Sequence, residues 1–460
     1  MKNVFFLVHI STQFRVLVKI AEMLNASGKY HSVMYLDGSV HRLDDAMEYC
    51  TGHSLDFLLS PERIPAHENG QDRAGKNLFQ KNKTTFPSFF FTKLVSSVLF
   101  YRRKIRRFTR ILQEQKISLV IIPDDGPENN YAVLVKAAHK LGIKVIVCPF
   151  TSMTSEGTAL ALSGNKSLST GLLSNRITSV LLPQWKYSLN GRIFLRTPAH
   201  AAWAMKLTGI APPRPWLDNS GHADVIAVDC FLNKKYLQER GIKENRLILT
   251  GALYHDVLAS GLRNKERKLE SLYHRHGINN SKPMVLCALP ALSPEDDLSS
   301  YNPNLGKGKD LLEEFVKTLT SINSHQVFLS LRPGSKKEDY LFLEKYGACI
   351  AEEPVEELIP ACRFYVSSFS ATIRMAIACG IPVLNYDPLH YNYTFYKGLK
   401  GVIHTNTAAG YREYAGRLAS DELFYRAAKQ EQEQIKEDYG SIDGHAADRL
   451  LALTDSYCGI

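Results

Sequence analysis

Asp124 and Asp125 stand side by side, followed by Gly126, where the apolar run "LVIIP" stops. A carboxylate at the end of a buried strand can serve as general base toward an attacking hydroxyl. Helix capping accounts for one such acid, Asp125, and leaves Asp124 as a turn residue; two acids beside a glycine exceed what a cap needs. Four more strand ends carry residues of this kind. Arg332-Pro333-Gly334 closes "QVFLSLRP", and a guanidinium there suits a phosphate or a carboxylate. Ser367, Ser368 and Ser370 close "FYVSSFS"; a cap uses one hydroxyl, and the others, beside free N–H groups, suit an anion. Tyr386 closes "IPVLNYD" and leads to His390 in the loop "PLHYNYTFY", fit to hold a sugar or base and equally fit to pack as a surface loop. His9, Ser11, Thr12 and Gln13 close the first strand and are expected to touch an acceptor.

These positions follow from an alternation of strands and helices. "VFFLVHI" reads as a buried strand. Behind it, Phe14, Leu17, Ile20, Met23 and Leu24 share a helix face that Gly28 ends. "HSVMYLDG" is a second strand, so the chain opens β-α-β and predicts a parallel sheet. Residues 51–92 are polar and turn-rich and read as an excursion. A long helix follows near 93–116, with arginines around an apolar face. The pattern places a first α/β domain at 1–257, a charged linker at 258–282, a second α/β domain at 283–430 and a helical segment at 431–460. Open parallel sheets bind ligands beyond the carboxyl ends of their strands, where the residues above fall. Two such domains facing each other would line a cleft with those ends.

The chain has 460 residues, 45% hydrophobic and 22% charged, with a formal net charge of +10. That excess points to an anionic partner or to an evenly basic surface. Basic residues do not interleave with stacking aromatics, and no nucleic-acid motif is visible, so a nucleic-acid partner is not expected. The eight cysteines form no CxxC pair and read as reduced core thiols of a cytoplasmic protein. No acidic pair in the second domain suggests a metal, so no obligatory metal or other cofactor is expected. The basic helix reads either as a solvated face or as a contact with anionic lipid at the inner face of the cytoplasmic membrane.

"ADVIAVDCFLNKKYLQERGIKENRLILTGALYHDVL" and "RFYVSSFSATIRMAIACGIPVL" resemble segments of GT-B glycosyltransferases and UDP-N-acetylglucosamine 2-epimerases. The resemblance implies two facing Rossmann-like domains and a C-terminal helix that crosses back onto the first. Asp124-Asp125-Gly126, Arg332-Pro333 and Ser367-Ser368 are similar to three short motifs of bacterial sialyltransferases and related nonulosonate transferases. That likeness implies transfer of a sialic, pseudaminic, legionaminic or Kdo-type sugar from a CMP-linked donor to a glycan or lipid-linked glycan acceptor in surface polysaccharide synthesis, with inversion. Asp125, with Asp124 as neighbour or substitute, would be the base. Arg332, Pro333, Gly334, Ser367, Ser368, Ser370, Tyr386 and His390 would hold the donor. Two departures stand out. Arginine replaces the histidine of the family's His-Pro motif. Arg374 and Met375 stand where UDP-sugar enzymes usually carry a ribose-binding glutamate, which argues for a donor other than UDP. The alternatives are a UDP-sugar transferase, an epimerase-like enzyme, and a transferase of polyol phosphate from a CDP-linked donor.

Overall fold

The computed structural model describes residues 1–9, 11–37, 40, 43–60, 86–127, 130–148, 155–189, 191–278, 282–299, 302–303, 305–332, 334–390 and 396–460. The first part of the chain runs β1 (Lys2–Val8), α1 (Ser11–Ala26), β2 (Tyr30–Leu36), α2 (Leu43–Gly52), β3 (Asp56–Leu59), α3 (Phe86–Glu114), β4 (Ile117–Ile122), α4 (Tyr131–Lys140) and β5 (Lys144–Val147). It continues with α5 (Ser155–Leu162), α6 (Leu173–Leu181), the hairpin β6 (Lys186–Leu189) and β7 (Arg192–Leu195), α7 (Ala199–Thr208), β8 (Val225–Val228), α8 (Phe231–Glu239) and β9 (Leu247–Leu249). Seven strands form one parallel sheet in the order β3-β2-β1-β4-β5-β8-β9. Val4 to Val8 are all fully buried because helices cover both faces of this sheet. Phe5, Tyr35, Phe108, Leu112 and Tyr131 form the centre of its core.

The remainder runs α9 (Leu253–Arg263), α10 (Lys265–Arg275), β10 (Met284–Ala288), α11 (Gly308–Thr320), β11 (Gln326–Ser330), β12 (Cys349–Ala351), α12 (Val355–Leu358), β13 (Phe364–Ser367), α13 (Ile373–Ala378), β14 (Val383–Tyr386) and β15 (Val402–Thr405). Four helices close the chain: α14 (Ala408–Ser420), α15 (Glu422–Glu433), α16 (Lys436–Tyr439) and α17 (Ala446–Cys458). The second sheet is parallel throughout, in the order β12-β11-β10-β13-β14-β15. Each sheet reverses its strand order once, at β1/β4 in the first and at β10/β13 in the second.

The chain divides into two compact units. One comprises Met1–Val228, Lys234–Thr250 and Arg449–Ile460; the other comprises Asp229–Asn233 and Gly251–Asp448. The first turn of α17 belongs to the second unit, where Asp256 accepts from the amides of Ala446 and Ala447 at 2.9 and 2.8 Å. The rest of α17 belongs to the first, where Arg449 donates to the Thr250 carbonyl and Asp455 accepts from Lys29 at 2.7 Å. Residues 258–282, read from their charge as a linker, instead hold most of α9 and all of α10. Leu258, Leu272 and Tyr273 anchor them in the core of the second unit, so the charges lie on the outer faces of packed helices.

Candidate functional site

In the first unit, a polar cluster forms at the carboxyl ends of β1, β2 and β4. Parallel sheets bind ligands at the point where strand order reverses, and β1/β4 is that point here. Half-buried His9 leaves β1 with Nδ1 3.5 Å from Oδ2 of buried Asp37, which leaves β2. The same Asp37 oxygen accepts from Asn130 Nδ2 at 2.8 Å, and Asn130 Oδ1 accepts from Lys104 of α3 at 3.0 Å. Buried Gln13 uses Oε1 to accept from the His9 amide at 3.1 Å and from the Tyr131 hydroxyl at 2.6 Å. Burial raises the Tyr131 pKa far above its ordinary value, with Asp124 and Asp37 adding to the shift, so this phenol stays a donor. The chain Lys104–Asn130–Asp37–His9 is a carboxylate-oriented imidazole. The helix α1 carries Ser11 and Thr12 on its first turn; their side chains lie outside the described residues.

Asp125 does not have the place of a base. It is fully buried, its Oδ1 accepts from the Ser220 amide, and its Oδ2 accepts from the Ala223 amide at 2.8 Å. The Ser220 hydroxyl donates to its carbonyl at 3.1 Å. Burial pushes its carboxyl up against the opposing pull of those amides. The side chain is spent clamping the loop that precedes β8, and α4 begins only at Tyr131, too far along to be capped by it. Asp124 is half-buried, and its Oδ1 accepts from the Gly126 amide across a tight turn, which puts it next to Tyr131.

In the second unit, strand order reverses at β10/β13, and Ser367 and Ser368 stand at the end of β13. The buried Ser368 hydroxyl oxygen has no hydrogen-bond partner among the described residues, and the Ser367 hydroxyl faces the Tyr365 phenol. Such an orphaned hydroxyl is costly unless a ligand or water satisfies it. Phe369 follows in a left-handed conformation (φ 50°), and His390, after β14, does the same (φ 53°). Residues with side chains rarely hold this backbone shape, and it collects at ligand sites. The Phe369 amide is fixed by Asn385 Oδ1 at 3.0 Å, while Asn385 Nδ2 lies 3.3 Å from His404 Nδ1. Burial lowers the His404 pKa, though Asp387 pulls it back. His404, Asn130 and Asp37 are functional candidates that the motif reading does not name. The signal was there for two of them, since Asp37 and His404 each stand at the end of a strand, as Asp124 does.

The remaining expected donor contacts divide. Arg332 is exposed at the end of β11, with no partner for its guanidinium among the described residues, and Gly334 makes the following turn (φ 93°). Pro333 lies outside the described residues, as do Tyr391, Asn392 and Tyr393. The Ser370 hydroxyl is tied to Thr372 at 2.6 Å. Tyr386 is not a ligand contact: its ring stacks on Tyr411 at 4.5 Å inside the core and its hydroxyl donates to Glu314 at 2.8 Å. The side chain alternation of β14 sends it inward, away from the loop that follows. Arg374 is also spent. It pairs with buried Asp229 at 3.3 Å and donates to the Cys230 sulfur at 2.8 Å. Burial alone would raise the Asp229 pKa, but Arg374 holds it below the ordinary value.

No family model matches the sequence, and no curated protein matches it. Solved structures do. Phytolacca americana UGT2 complexed with UDP-2fluoro-glucose and pterostilbene is 11% identical, with a TM-score of 0.55 over 99% of each chain. The UDP-GlcNAc 2-epimerase of Neisseria meningitidis bound to UDP-GlcNAc is 11% identical, with a TM-score of 0.54 over 99% of this chain and 100% of that one. The glycotransferase of kitacinnamycin is 11% identical, with a TM-score of 0.52 over 98% of each. At this identity the likeness is one of fold: the chain has the GT-B architecture of two Rossmann-like parallel α/β units.

Proposed function

We propose that the chain is a glycosyltransferase that uses a nucleotide sugar, with a UDP-linked donor as the first choice. The observation that carries this reading is the His9–Asp37 pair at the strand reversal of the first sheet, in a chain of GT-B fold. His9 Nε2 takes the proton of an acceptor hydroxyl; the oxygen attacks the anomeric carbon; the bond from that carbon to the donor phosphate breaks, and the nucleotide leaves with the electron pair. Direct displacement inverts the configuration. Ser367, Ser368 and His404 are assigned to the donor, and exposed Arg332 to its phosphate charge. Asp124 shapes the turn beside the acceptor.

The donor preference draws support from neighbours of the same fold whose structures hold UDP or UDP-sugars. The CMP-nonulosonate reading took Asp125 as base with Asp124 as its neighbour or substitute, and of the two the Asp125 carboxylate is committed to the loop clamp.

The test is nucleotide release from UDP-, CMP- and CDP-linked donors in the presence of a glycan acceptor panel. Release of UDP is expected. His9→Ala is expected to slow it by about a hundredfold or more while UDP still binds, since a positioned base contributes about 10²–10⁴. Undiminished turnover in His9→Ala removes the base assignment; release of CMP alone replaces the donor.

A further inference from the structure

The helix α6 is inside out. Its inward face is polar: Asn175 Nδ2 donates to the carbonyls of Ser167 and Ser169, and Thr178 accepts from Trp203 at 3.0 Å. Its outward face is apolar, with Leu173 and Ile177 one turn apart and then Val180 and Leu181, which are 73% and 58% exposed. A surface helix normally buries such a stripe.

A second such surface belongs to the same layer, because α7 packs against both α6 and α3. On α3, Phe91, Val95 and Leu99 recur at four-residue intervals and are 61%, 56% and 47% exposed. The same helix face then turns cationic, with Arg102, Arg103, Arg106 and Arg110 exposed. Charge in the two stretches has one sign. Residues 86–113 hold seven Lys and Arg and no Asp or Glu, and residues 157–217 again hold seven and none.

We infer that this face of the first unit docks on an anionic lipid bilayer, with the outward side chains of α6 and Phe91, Val95 and Leu99 of α3 entering the headgroup boundary. Apolar side chains flanked by cations are the composition of interfacial helices. Basic residues beside them are attracted to acidic headgroups. A second copy of the chain is the poorer occupant, because it would set two predominantly cationic surfaces against each other. Among the described residues no helix is long and apolar enough to cross a membrane, so the contact is one of surface insertion. The inference stands without the enzymatic reading.

The test is flotation of the full chain with vesicles of phosphatidylcholine alone or mixed with phosphatidylglycerol. Binding is expected to the mixed vesicles only and to weaken as salt rises. The double substitution Val180→Asp, Leu181→Asp is expected to lower binding by about tenfold or more, a change above 1.4 kcal/mol, with thermal unfolding unchanged. Val180→Trp keeps the question answerable if the aspartates disturb folding: its emission should shift to the blue on mixed vesicles and be quenched by brominated lipid. Absence of flotation, indifference to the aspartate pair, or an unshifted Trp signal overturns the inference. So does a concentration-dependent dimer that the aspartate pair dissolves and vesicles do not displace.

Discussion

At the scale of single residues, the geometry separates acids of similar appearance. Asp125 accepts from two backbone amides 95 and 98 positions away in sequence. Asp125→Ala would orphan those buried N–H groups, a cost of about 2–4 kcal/mol. Urea unfolding should show that loss; a variant of normal stability that has lost turnover would restore Asp125 to the chemistry. Asp224 makes a second test through pH. Burial alone would raise its pKa, but hydrogen bonds from His139, Lys144 and the Val145 amide drive it well below the ordinary value. A depressed carboxylate stabilises the fold above the unfolded value near 3.9, and the contribution fades as pH falls through the folded value. Asp224→Asn should therefore cost ~1–2 kcal/mol at neutral pH. The gap between variant and parent should close progressively below about pH 4; a gap constant with pH would contradict it.

At the scale of elements, most of the alternation is legible because buried parallel strands are continuous apolar runs and the helices between them keep a helical period. β1, α1 and β2 fall where "VFFLV", the Phe14–Leu24 face and "HSVMYL" place them. Strand ends were legible for the same reason, which is why His9, Gln13, Asp124, Ser367 and Ser368 could be placed beside them. What Asp125 and Tyr386 do was not, since it depends on partners remote in sequence: the loop before β8 and the core aromatic Tyr411. The charged stretch 258–282 misleads because charge measures only the outer face of a helix. α6 offers no correct pattern at all, since its apolar residues point outward. Packing also overrides propensity at Gly261 in α9. Alanine there would gain ~1 kcal/mol of helix propensity. Its Cβ would stand 2.6 Å from the Pro360 ring, however, and that ring is held by the turn Ile359–Ala361. Overpacking costs ~1–3 kcal/mol, so Gly261→Ala should be destabilising on balance by chemical denaturation. A stabilised variant would mean the two segments part easily.

At the scale of the whole molecule, each unit carries its own strand reversal and its own cluster of polar side chains there: an imidazole beside a carboxylate in the first, an orphaned serine hydroxyl and two left-handed residues in the second. Resemblance of fold reaches the full length of proteins crystallised with UDP-sugars, yet fold alone does not fix a substrate. The most direct measurement is a calorimetric titration of the intact chain, and of Ser368→Val, with UDP, CMP, CDP and GDP. A hydrogen bond to a charged phosphate is worth about 1.5–3 kcal/mol. The account predicts that UDP binds the parent chain and binds Ser368→Val at least about tenfold more weakly, with the fold intact. Binding of no nucleotide, or of UDP equally to both proteins, would contradict it.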